Sequence, residues 1–220
     1  MRLLRLAILV SGRGSNLEAV LEAQPPGIEP VLVISNRPGV RALEVAARHG
    51  VPTRVMRRAD FDEAGARDAA IGNALTEVGA DLALLAGYDQ VLAPPYFAAF
   101  DGRTINIHPS LLPAHGGPGM VGLAVHRAVL AAGDHESGVT IHEVTPELDA
   151  GSIIAQARVS VRPGDDAATL AARVLAEEHR LLVRTLTDLA GEARAGTSSA
   201  TMAAAPASIG AGPPQETPHA

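Results

Sequence analysis

Short, predominantly apolar runs alternate along the chain with segments of helical periodicity. Residues 4–10 form the first run, closed by Ser11-Gly12-Arg13-Gly14-Ser15-Asn16, and a helical pattern follows over 17–23. A second run at 30–35 ends in Asn36-Arg37-Pro38-Gly39. The helix expected over 40–49 stops at Gly50, a residue that enters the left-handed conformation of a C-cap without steric penalty. A strand at 53–56 precedes a helix over 62–78, and the apolar run 81–86 ends at Gly87-Tyr88-Asp89-Gln90. A helical piece near 95–100 leads to a strand at 104–108, a Gly- and Pro-rich loop at 109–122 and a helix at 123–132. Residues 139–144 and 153–161 read as strands, and 167–189 as a long amphipathic helix.

Strands that are apolar at every position need cover on both faces, and helices between them supply it. The fold class is therefore α/β, a doubly wound, mostly parallel sheet with helices on both faces. A chain of 220 residues, 47% apolar, suits one compact domain that buries roughly 70% of its unfolded surface. The expected domain covers 1–190. Residues 191–220 are mostly Ala, Gly, Ser, Pro and Thr and are expected to form a mobile, disordered tail.

The formal charge of −6 provides no global basic field, so no nucleic-acid partner is expected. The absence of cysteine excludes disulfides, thiolate nucleophiles and Cys-ligated metal. The first apolar run is too short for a signal peptide, and no run approaches the roughly 18 residues of a membrane span. A soluble cytoplasmic protein is expected. Monomer and homodimer fit equally well.

Three places could carry chemistry. A strand, a tight Gly-x-Gly turn and a helix N-terminus converge backbone N–H groups on an anion, with Gly14, Ser15 and Asn16 placed to contact it. A dinucleotide fingerprint would want a small residue where Leu17 stands and an acid where Asn36 stands, so a mononucleotide phosphate fits better. A simple tight turn accounts for the same residues. Asn106 and His108 end a strand and alternate onto one face, the arrangement of an oxyanion clamp; ordinary strand-end residues would look the same. Asp149, in Glu147-Leu148-Asp149-Ala150-Gly151, is either an Asx-turn residue or a carboxylate that orients and charges His108. His115, His126, His135 and His142 lack metal-ligand spacing, and no metal is expected. Thr140 and His142 alternate along one strand and are candidates to face the cleft.

Together Ser11-Gly-Arg-Gly-Ser-Asn16, Leu85-Ala-Gly-Tyr88, Ile105-Asn-Ile-His-Pro-Ser-Leu-Leu-Pro113 and Glu147-Leu-Asp-Ala-Gly151 resemble the folate-dependent formyltransferase family over about residues 5–190. The resemblance implies transfer of a formyl group from the cosubstrate 10-formyltetrahydrofolate to the primary amine of glycinamide ribonucleotide, in purine synthesis. It implies catalytic roles for Asn106, His108 and Asp149. Gly14, Ser15, Asn16 and Glu178 would hold the ribonucleotide, and Gln90, Val91, Leu92, Val144 and Asp149 would hold the folate. Asp89-Gln90 stands where the family often has Met-Arg, and the loop 115–122 is longer and richer in glycine than in many relatives. That loop is expected to be a mobile lid. A sugar-nucleotide substrate and a non-catalytic binding protein remain alternative readings.

Overall fold

In the computed structural model, which describes residues 2–203, the first strand shows why its run is apolar from Leu6 to Val10. In β1 (Leu4–Val10), Leu6, Ile8 and Val10 enter one core while Ala7 and Leu9 enter another on the opposite face. The same division recurs in β2 (Ile28–Ser35), where Val33 opposes Leu32 and Ile34. In β4 (Leu82–Leu85), Leu82 and Leu84 oppose Ala83 and Leu85. A strand buried on both sides has no polar phase, so period-2 alternation disappears.

The remaining strands are β3 (Thr53–Val55), β5 (Arg103–His108), β6 (Glu136–Glu143) and β7 (Ile153–Ser160). One seven-stranded sheet results, in the order β3-β2-β1-β4-β5-β6-β7. All pairs from β3 through β5 are parallel; β5–β6 and β6–β7 are antiparallel. The chain winds outward from β1 in one direction and resumes at β4 in the other. The carboxyl ends of β1 and β4 therefore open a crevice at the switch point, where ligands bind in open α/β sheets.

Helices α1 (Ser15–Ala23), α2 (Arg41–Arg48), α5 (Leu123–Ala132) and α6 (Ala167–Ala203) contribute to the first core, and α3 (Ala66–Glu77) and α4 (Pro94–Ala99) to the second. The α6 N-terminus is closed reciprocally. Asp166 Oδ1 accepts from the Thr169 N–H at 2.8 Å, and the Asp166 N–H donates to Thr169 Oγ1 at 2.9 Å.

Two expectations need correction. The helix expected over 62–78 begins only at Ala66, after a 3-10 turn at Arg58–Asp60, because Gly65 takes φ 80 and a left-handed residue cannot continue a right-handed helix. The tail expected from residue 191 is helical as far as Ala203. Alanine is the strongest helix former, so its abundance there extends α6 where the lack of large apolar groups suggested a tail. The remainder of that expectation, 204–220, lies outside the described residues. Among the described residues no helix is long and apolar enough to cross a membrane.

Candidate active site

Ile105 and Ile107 enter the first core, which leaves Asn106 and His108 together on the opposite face of β5. Antiparallel pairing sets Asn106 opposite His142 and His108 opposite Thr140. Asp149 arrives from the β6–β7 loop. Its φ of 53° lies in the left-handed region, which Asp tolerates better than most residues. Gly151 lets this loop close onto β6, since a Cβ there would lie 1.8 Å from the Glu143 carbonyl oxygen.

The Asp149 carboxylate lies between two imidazoles. Oδ2 is 3.8 Å from His108 Nδ1 and Oδ1 is 3.7 Å from His142 Nε2, while Oδ2 also accepts the Gly117 N–H at 2.8 Å. His108 is 5% exposed and His142 is 2% exposed. Burial pushes the His142 pKa down, and this outweighs the raising effects of the Glu143 carbonyl and the Asp149 charge. A neutral ring has one N–H. Because a carbonyl can only accept, His142 Nδ1 donates to Glu143 O at 2.8 Å, and Nε2 is left to accept from Asn106 Nδ2 at 3.1 Å. His142 thus fixes the orientation of the Asn106 amide and leaves its second N–H free of this bond. His108 Nε2 donates to the His115 carbonyl at 2.9 Å.

His126 of α5 also faces this group. Burial, and then the His108 charge, lower its pKa, and its Nδ1 is buried without a protein hydrogen-bond partner. In the sequence His126 is one of several scattered histidines, and His142 is a candidate to face the cleft. The pairing of β5 with β6 is the signal that would have placed His142 beside Asn106.

Gly14 takes φ 74 before α1, and Ala42 lies so close that a Cβ on Gly14 would be 2.7 Å from Ala42 Cβ. Glycine here permits both the turn and the approach of α2. Ser15 and Asn16 open α1, whose N-terminus favours an anion. Asn16 does not point freely into the loop, however. Its Nδ2 donates to Glu178 Oε2 at 2.7 Å, while its Oδ1 is buried without a protein hydrogen-bond partner. Burial raises the Glu178 pKa, and the bond from Asn16 only partly counters it. The structure therefore joins Asn16 and Glu178, which are far apart in sequence.

The expected folate residues divide. Leu92 is buried, Val144 packs against the same core, and Val91 is 55% exposed. Gln90 Oε1 accepts from buried Arg67 at 3.1 Å. Asp89 ties strand ends together: its carboxylate accepts from Asn36 at 2.8 Å and pairs with Arg37, and its N–H donates to Ser11 Oγ at 3.0 Å. Burial alone would raise the Asp89 pKa; the bonds from Asn36 and Ser11 and the Arg37 charge hold it below the ordinary value. Among the described residues no group of three or more His, Asp or Glu is arranged to hold a metal.

Residues 4–186 match the family described as formyl transferase. A phosphoribosylglycinamide formyltransferase of Haemophilus influenzae is 36% identical over 180 residues, covering 80% of this chain and 82% of that protein. The crystal structure of phosphoribosylglycinamide formyltransferase from Brucella melitensis superposes with a TM-score of 0.78 at 43% identity, covering 86% of this chain and 96% of that one. A trifunctional purine biosynthetic protein of Drosophila pseudoobscura pseudoobscura is 42% identical over 194 residues, which are 86% of this chain but only 14% of that much longer protein. The chain belongs to the formyl transferase family, alongside the phosphoribosylglycinamide formyltransferases that it matches.

Proposed function

We propose that this protein transfers a formyl group from 10-formyltetrahydrofolate to the primary amine of glycinamide ribonucleotide. The observation that carries the reading is the Asp149 carboxylate 3.8 Å from the buried His108 ring at the carboxyl end of β5, with Asn106 on the same strand face. The relatives named for this activity support the choice of substrate.

In this reading Gly14, Ser15 and Asn16 hold the phosphate at the α1 N-terminus, and Glu178, bonded to Asn16, contacts the ribonucleotide. Folate lies along residues 90–92 and the loop that includes Val144 and Asp149. The amine nitrogen attacks the formyl carbon and forms a C–N bond, which places negative charge on the formyl oxygen. The free Asn106 N–H and the imidazolium of His108 donate to that oxyanion, and the Asp149 carboxylate stabilises the imidazolium. Collapse breaks the bond from carbon to folate N10 as an amine proton passes to N10, leaving tetrahydrofolate and the formylated amide. Holding the two substrates together can remove on the order of 7–11 kcal/mol of barrier. An oxyanion donor is typically worth about 3–4 kcal/mol.

The test is release of tetrahydrofolate from 10-formyltetrahydrofolate with glycinamide ribonucleotide, or water alone, as acceptor, and with His108→Ala as control. Amine-dependent release that the variant abolishes is the expected result. Release without the amine would indicate a hydrolase. No release with any acceptor despite tight folate binding would indicate a binding protein.

A further inference from the structure

We infer that His115, through its hydrogen bond with Asp134, is a positioning residue that makes Nδ1 the working nitrogen of His108. The inference rests on the proposed role of His108 as a donor to the oxyanion. The His115 carbonyl accepts from His108 Nε2 at 2.9 Å, so that nitrogen keeps its hydrogen in both charge states. The N–H left to donate to the oxyanion is therefore the one on Nδ1, the nitrogen that faces Asp149. Without a fixed acceptor at Nε2 the ring could turn its Nδ1 away from the site, and the neutral imidazole could carry its hydrogen on either nitrogen.

That carbonyl is aimed by a strained residue. His115 has φ 54, in the left-handed region that few non-glycine residues adopt, although His enters it more readily than most. The neighbouring loop supplies limited packing, since a cavity of about 330 Å³ lined by Leu111, His115, Val129 and Ser137 opens beside it. The side chain supplies one restraint, with His115 Nε2 2.6 Å from Asp134 Oδ2 on the turn between α5 and β6, and Ser110 Oγ, 3.5 Å from the carbonyl oxygen, supplies a weaker one. Asp134 is itself anchored by its N–H to the Val129 carbonyl at 3.3 Å. Ser110 Oγ donates to the adjacent Ala114 carbonyl at 2.6 Å. The chain of contact runs from Asp134 to the His115 ring, then through its backbone to His108. The other titratable groups facing His108 are Asp149 from the β6–β7 loop, His142 from β6 and His126 from α5.

The test is the tautomer of His108 in the full-length chain, read from long-range couplings of ¹⁵N-labelled imidazole above its titration. Wild type is expected to carry the hydrogen on Nε2. His115→Ala and Asp134→Ala are expected to give a tautomer mixture and a roughly tenfold lower kcat with the ribonucleotide KM unchanged, the low end of what losing a partner that orients a metal-bound histidine costs. The double variant should fall no further than either single one, because both act through one contact. His115→Gln, which keeps an N–H donor for Asp134, should restore the tautomer. An unchanged tautomer in both alanine variants, with only a lowered Tm, would overturn the inference. Asp134 is 40% exposed at its side chain, so its variant remains informative if His115→Ala does not fold. The tautomer needs no substrate, so an inactive wild type would refute the proposed reaction and leave this measurement to decide separately.

Discussion

Two glycines of one turn, Gly12 and Gly14, should respond very differently to alanine. At Gly14 the backbone sits at φ 74, where an L-residue costs about 1–2 kcal/mol. The new methyl would also lie 2.7 Å from Ala42 Cβ and 2.8 Å from Ala42 Cα. Ala42 is fully buried and its N–H donates to the Gly12 carbonyl at 3.2 Å, so it cannot retreat without opening the seam between the loop and α2. Overpacking of this kind costs about 1–3 kcal/mol. The two contributions together amount to about 2–5 kcal/mol, a large share of the roughly 5–15 kcal/mol that holds a domain folded. At Gly12 the backbone is outside the left-handed region and a Cβ meets nothing within 4 Å, so Gly12→Ala should change stability by no more than about 0.5 kcal/mol. Urea unfolding is the assay. With a slope of about 1–3 kcal/mol per molar, Gly14→Ala should lower the midpoint by about 1 M or more. Its KM for the ribonucleotide should also rise, because the N–H groups that hold the phosphate move with the loop. A Gly14→Ala loss below about 1 kcal/mol, or an equal loss in Gly12→Ala, would refute the argument from backbone conformation and close approach.

Asp149→Asn keeps an acceptor for Gly117 and tolerates the left-handed backbone while removing the charge, so kcat should fall more than about a hundredfold with Tm nearly unchanged; near-normal turnover would remove that charge from the mechanism. Glu178 has its pKa raised by burial, so the unfolded chain ionises first and stability falls as pH rises from the ordinary value of 4.5 through the raised one. Glu178→Gln should flatten that decline and make the protein more stable at neutral pH in urea titrations; an unchanged profile would mean the carboxylate is ionised without cost. The depressed pKa of His126 works in the opposite direction, with stability present above 6.5 and lost as pH falls through the lowered value. His126→Leu should reduce that acid sensitivity in unfolding measurements at pH 7 and pH 5, and an equal loss in both proteins would place its source elsewhere.

The parallel half of the sheet was legible because burial on both faces removes nearly all polar positions from the central stretches of β1, β2 and β4, and glycines mark where helices stop. The shared face of Asn106 and His108 was equally legible, since strand alternation is a local property. Helix ends were less so: the φ of Gly65 and the continuation of α6 to Ala203 follow from backbone conformation and helix propensity that composition alone obscured.

By itself the sequence determined the α/β class, the glycine loop before α1 and the Asn106-x-His108 pair, all consequences of side-chain pattern within a few residues. Only the tertiary structure decided that Asp149 lies between His108 and His142, that Asn16 bonds Glu178, and that the His115 carbonyl holds His108 Nε2. Each of those contacts joins separate elements, and their distances depend on strand order, register and helix packing rather than on any local preference of the chain.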